Sequence, residues 1–90
     1  MEELLRQMVA ALVDYPEQIR VKEIRGENSI VYELQVGPGE LGKVIGRQGQ
    51  MVRSLRTIMT AAGMKLRKQV RLELIENSAR SERLGAGTNV

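Results

Sequence analysis

The chain has 90 residues, enough for one domain and one core. It contains no cysteine and no histidine, which removes disulfides, thiolate or imidazole metal sites, and thiol or imidazole catalysis together. Fourteen basic and eleven acidic side chains leave a net charge of +3, and no apolar stretch approaches the roughly 20 residues that span a bilayer.

Residues 2–14 read as an amphipathic helix, with Leu4, Leu5, Met8, Val9 and Leu12 recurring at helical spacing and Tyr15-Pro16 ending it. Its acidic opening, Met1-Glu2-Glu3, is unlike the positive start of a signal peptide, so the expected location is the cytoplasm. Residues 18–25 alternate less cleanly: Ile19 and Val21 share a face while Ile24 falls out of phase, which a bulge or an early strand end would explain. After the turn Gly26-Glu27-Asn28-Ser29, residues Ile30, Tyr32, Leu34 and Val36 alternate strictly with their neighbours, so 18–36 is expected to be a β-hairpin.

Gly37-Pro38-Gly39 breaks the sheet. Leu41, Val44 and Ile45 then mark one face of a very short helix that stops at Gly46. A longer helix runs from after Gly49 to about Ala62, with Val52, Leu55, Met59 and Ala62 inward and Gly63 as its C-cap. Val70, Leu72 and Leu74 alternate again over residues 69–75. Residues 77–90 are polar, small and aperiodic, and read as a disordered tail behind a domain of residues 1–76. The order α-β-β-α-α-β is that of an α+β two-layer sandwich. In it a three-stranded mixed sheet is covered on one face by three helices, and strands two and three run parallel through a right-handed crossover.

Charge is unevenly spread. Residues 1–36 carry −3, residues 72–90 carry −1, and residues 37–71 carry +7 with Glu40 as their one acid. A basic segment of this kind is the footprint of a phosphate-binding surface, or else a cluster of solvated side chains.

Inside that segment lies Val44-Ile45-Gly46-Arg47-Gln48-Gly49. Two glycines allow two helices to meet at a sharp turn and let a bulky partner approach the backbone. The N–H groups that open the following helix lack intrahelical partners and sit at its positive end, a setting that favours phosphate oxygens. Arg47 adds a fixed charge with several donors, and Gln48 adds hydrogen-bonding capacity without charge. The four residues alone also fit an ordinary helix turn. The nucleotide-hydrolase and dinucleotide glycine motifs follow a strand, whereas this one follows a helix.

The segment and its place between two helices resemble the signature of KH domains, and the element order resembles the type II arrangement. Over residues 2–76 the chain is similar to the small bacterial stand-alone KH proteins of the KhpA type. That resemblance implies non-catalytic binding of single-stranded RNA, formation of homodimers, pairing with a larger KH-containing protein, and a regulatory, chaperone-like or cell-elongation role. It also implies that Gly46, Arg47, Gln48 and Gly49 contact phosphates while Lys43, Val44 and Ile45 line one wall of an apolar groove. The other wall would come from the third strand and the basic loop before it, with Lys65, Arg67 and Lys68.

Arg53 and Arg56 lie three apart on the long helix, either tracking a nucleic-acid backbone or simply solvated. With no Phe or Trp, and Tyr32 on an apolar strand face, recognition by stacked bases is not expected. No carboxylate pair stands near the glycine loop, so no enzyme, cofactor, metal or small-molecule substrate is expected. A protein-interaction scaffold is the alternative reading: Met51, Ile58 and Met64 widen the long helix's apolar stripe beyond one core face, as a two-fold dimer would require.

Overall fold

The first helix is shorter than its pattern. In the computed structural model, which describes residues 1–76, α1 spans Glu2–Ala10. The tail read from residues 77–90 lies outside the described residues. Leu5 and Val9, four apart, are fully buried, while Glu2 and Glu3 occupy the first turn where the helix dipole favours negative charge. The chain leaves the helix because Leu12 and Val13 both donate their N–H to the Val9 carbonyl, at 2.9 and 3.2 Å, which tightens and closes the last turn. A single 3₁₀ turn, Pro16–Gln18, then delivers the buried Ile19 to the sheet.

Strand β1 (Arg20–Arg25) pairs antiparallel with β2 (Ser29–Gln35). Their register is unbroken from Arg20 opposite Gln35 to Arg25 opposite Ile30, so there is neither a bulge nor an early strand end. Ile24 is out of phase because it faces away from the helices, 43% exposed. Strand β3 (Gln69–Ile75) lies parallel to β2, from Ser29 opposite Gln69 to Gln35 opposite Ile75, and the sheet order is β1-β2-β3. Central β2 fulfils its alternation: Ile30, Tyr32 and Leu34 are fully buried. Removing such aliphatic side chains from water stabilises the fold by about 1.5–3 kcal/mol each. The Tyr32 hydroxyl is buried with no hydrogen-bond partner among the described residues.

Helices α2 (Leu41–Ile45) and α3 (Gln50–Lys65) form the crossover between β2 and β3. With α1 they cover one face of the mixed sheet, as the sequence pattern requires. Val44, Val52, Leu55 and Met59 enter the same core as Leu5 and Val9. Gly63 is not the end of α3. It is a buried interior position, where a Cβ would meet the Val70 side chain and the Lys68 carbonyl oxygen, the latter at 2.8 Å. The helix ends at Lys65 and is closed off by Arg67, whose φ of 57° is left-handed. The N–H of Arg67 reaches the Met64 carbonyl at 3.1 Å and that of Lys68 reaches Gly63 at 3.0 Å, the paired closure that usually selects glycine where Arg67 stands.

Candidate nucleic-acid interface

The loop joining α2 to α3 is held in backbone conformations that side chains resist. Gly46 has φ 77° and ψ 176°, a region open almost only to glycine, and a Cβ there would lie 3.0 Å from the Met51 nitrogen. Gln48 (φ 56°) and Gly49 (φ 76°) are both left-handed. The Gly49 N–H closes the turn on the Gly46 carbonyl at 3.1 Å. Arg53, one turn into α3, donates from Nη1 to the Gln48 carbonyl at 3.0 Å and fastens the loop to the helix it opens. Arg47 and Gln48 are exposed at its tip. No side chain caps the start of α3; the Gln50 N–H turns back on the Arg47 carbonyl, and the positive end of the helix dipole lies at the loop.

Behind the loop lies a feature the sequence reading missed. Glu40, the one acid of the basic segment, is only 2% exposed. Its carboxylate accepts the N–H of Asp14 at 2.6 Å and of Tyr15 at 3.0 Å, two donors left over where the chain departs from α1. Lys43 bridges it, with Nζ 2.7 Å from Asp14 and 3.3 Å from Glu40. Burial pushes the Glu40 carboxyl up, but the two backbone donors and the Lys43 ammonium outweigh it and hold the group below its ordinary 4.5. The Asp14 carboxylate, with help from Glu40, holds the Lys43 ammonium above its usual range against the opposing effect of burial. Lone acids in basic segments are the only signal for this clasp, and the spacing of 26 residues between Glu40 and Asp14 hides it from local patterns.

Two clefts follow one another along the free edge of β3. One, of about 250 Å³, lies between α3 and the strand and is lined by Arg56, Met59, Thr60 and residues 70–73. The other, of about 210 Å³, lies between α2 and the strand's end and includes Leu41, Ile45 and Ile75. Ile45 therefore stands at a groove wall. Val44 does not: it is fully buried and supports the loop from the core side, because α2 turns that face toward the sheet. Lys43 is turned toward Asp14 rather than along the groove.

Lys65, Arg67 and Lys68 are not beside the glycine loop. They lie at the far end of α3, about 25 Å away at 1.5 Å per residue. Lys68 donates to the Gly26 and Glu27 carbonyls and braces the hairpin turn. Arg56 crosses to β3, where Nε and Nη2 both donate to the Leu72 carbonyl at 3.3 and 3.2 Å. Neither Arg53 nor Arg56 is a merely solvated side chain. Ile58, 44% exposed, points about 200° from Arg56 around α3, so the two occupy opposite flanks of the helix.

A three-stranded mixed sheet, three helices on one face and a constrained G-x-x-G turn between two of them define a KH domain. The chain belongs to the KhpA/KhpB KH-domain family, which matches residues 2–74. It is 57% identical over 65 residues to an RNA-binding protein KhpA from Aquifex aeolicus, covering 72% of this chain and 82% of that one. An RNA-binding protein KhpA from Clostridium acetobutylicum is 44% identical over 75 residues, covering 83% of this chain and all of the relative. One from Listeria monocytogenes is 41% identical over 76 residues, covering 84% of this chain and again the whole relative. No solved structure matches the chain. Among the described residues no helix is long and apolar enough to cross a membrane, and no cluster of acids could hold a metal ion.

Proposed function

We propose that the chain binds single-stranded RNA without chemical change, the phosphates resting on the loop at residues 46–49 and the bases entering the clefts along β3. The observation that carries this reading is the uncapped start of α3, presented by left-handed Gln48 and Gly49 with Arg47 exposed beside it. The positive end of a helix dipole and one fixed charge converge there on whatever lies against the loop. The relatives' description as RNA-binding proteins agrees with it. Binding by these groups is expected to be of modest affinity and to take place in the cytoplasm, in a regulatory or chaperone-like role. Arg47→Asp combined with Gln48→Asp should abolish retention of single-stranded RNA while leaving the melting temperature nearly unchanged; undiminished retention would sink the assignment.

A second reading concerns self-association. Ile58 and Met51 are 44% and 37% exposed on one flank of α3, and Met64 at its end is 71% exposed. A second copy packed two-fold against this flank, or a larger KH-containing partner, would cover apolar surface that a domain this small gains by burying. Ile58→Asp should convert a sedimenting dimer into a monomer. A wild-type chain that sediments as a monomer at high micromolar concentration rules the dimer out.

A further inference from the structure

Strand β3 is paired on one side only, and the geometry of its free edge is set by the parallel register. Gln69 donates its N–H to Asn28 at 2.9 Å, on the inner side. Alternate residues therefore turn inward, and the backbone groups of Leu72 face the free edge. Arg56 meets them there. Its Nε and Nη2 share the Leu72 carbonyl oxygen, so Nη1 takes no part in the contact. The guanidinium thus lies across a cleft of about 250 Å³ with Met59 and Val70 beside it, smaller than the roughly 300–1,000 Å³ of drug-sized ligand sites. A space of that scale suits a single planar group.

We infer that Arg56 selects the base admitted to this cleft, favouring guanine over adenine. The inference rests on the reading that RNA occupies the groove. With Arg56 in place the Leu72 carbonyl is already satisfied, and at that point of the cleft the guanidinium offers the donors of its Nη1 side. Guanine presents two acceptors on one edge, O6 and N7, which match such a fork. Adenine presents an acceptor and an amine, and beside Arg56 its amine would face donors. Removal of Arg56 reverses the offer: the Leu72 carbonyl is released as an acceptor, which suits the amine of adenine. Arg56 is therefore a specificity-determining residue and not a phosphate contact, despite its charge.

The test uses uridine decamers carrying one central guanosine or one central adenosine, with dissociation constants measured by fluorescence anisotropy across a salt series. The wild-type chain should favour the guanosine decamer by at least about fivefold. Arg56→Met should erase or invert that ratio while leaving the dependence on salt unchanged. Arg56→Lys, which keeps the charge and loses the fork, should also lose the ratio, and it guards against a fold defect in the methionine variant. An unchanged ratio in both variants overturns the inference, and so does a salt slope reduced by about 0.7, the signature of a lost phosphate contact. Concentration-dependent association of Arg56→Met with the base ratio intact would show instead that Arg56 shields β3 from pairing with another strand, and overturns it too. A wild-type chain that binds neither decamer removes the groove reading, and this inference falls with it; binding without discrimination removes this inference alone.

Discussion

The carboxylate of Glu40 accepts the main-chain N–H of Asp14 at 2.6 Å, joining the residue just before α2 to the chain that leaves α1. Tyr15 and Lys43 complete the clasp. Glu40→Gln keeps the size but replaces one acceptor oxygen with an amide that faces donors, so the melting temperature should fall by about 5 °C or more. Because the folded carboxyl titrates below its ordinary 4.5, the unfolded chain takes up the proton first as pH falls. The contribution of Glu40 is then complete above about pH 5 and is lost as pH drops toward the folded value. Thermal melts between pH 3 and pH 7 should show a shallower acid decline in Glu40→Gln than in the wild type; parallel declines would refute the role given to the carboxylate.

Tyr32 offers a test in the opposite direction. Its hydroxyl is buried with no hydrogen bond of good geometry among the described residues, and burial, then the negative charge of Glu23 opposite it in β1 and the hydroxyl's approach to that carboxylate, raise the phenol above its usual range. Deleting a buried hydroxyl that makes at best a poor contact with Glu23 removes more desolvation cost than bonding. Tyr32→Phe should unfold at higher urea with stability increased by about 1 kcal/mol. A loss of that size would mean the hydroxyl is bonded after all.

Gly42 in short helix α2 and Gly46 at the start of the loop should respond oppositely to alanine. At Gly42 nothing lies within 4 Å of an added Cβ and the backbone is helical, so Gly42→Ala should stabilise by about 0.5–1 kcal/mol. At Gly46 the added carbon meets Met51 and the backbone region excludes it, so Gly46→Ala should cost about 2–3 kcal/mol. Denaturant midpoints of the pair give the comparison, and similar values for both would contradict the described loop.

Arg67 separates stability from charge. Replacing a left-handed arginine by glycine relieves roughly 1 kcal/mol of backbone strain at the end of α3. Arg67→Gly should therefore melt several degrees higher. If Arg67 also contacts phosphate, the same variant should lower the salt slope of RNA binding by about 0.7. A rise in melting temperature with no change in slope would place the far end of α3 outside the RNA path.

Much of the architecture follows from local patterns. Ile30, Tyr32 and Leu34 had to lie on one face of a strand buried on one side, and the glycines at 46 and 49 had to lie between two helices. What escaped local patterns depends on partners distant in the chain. The path of the chain after α1 is fixed by a carboxylate 26 residues away. Gly63 reads as a helix cap because glycine usually ends helices, yet here it is small because β3 passes against it. Ile24 breaks the alternation because an edge strand with an open face tolerates an exposed aliphatic at little cost. Arg56 and Leu72 become neighbours only once the crossover brings α3 onto β3.

The separation of Arg56 and Ile58 onto opposite flanks of α3 bears on how binding strength would scale. Two chains joined back to back through the Ile58 flank would hold their clefts facing outward, with neither blocking the other. An RNA long enough to reach both clefts would meet the second at the high local concentration set by its own tether, and its apparent affinity would exceed that of one cleft by orders of magnitude. A fragment too short to span the pair would gain nothing. Length of the RNA, more than its sequence, would then decide which transcripts the paired chains retain.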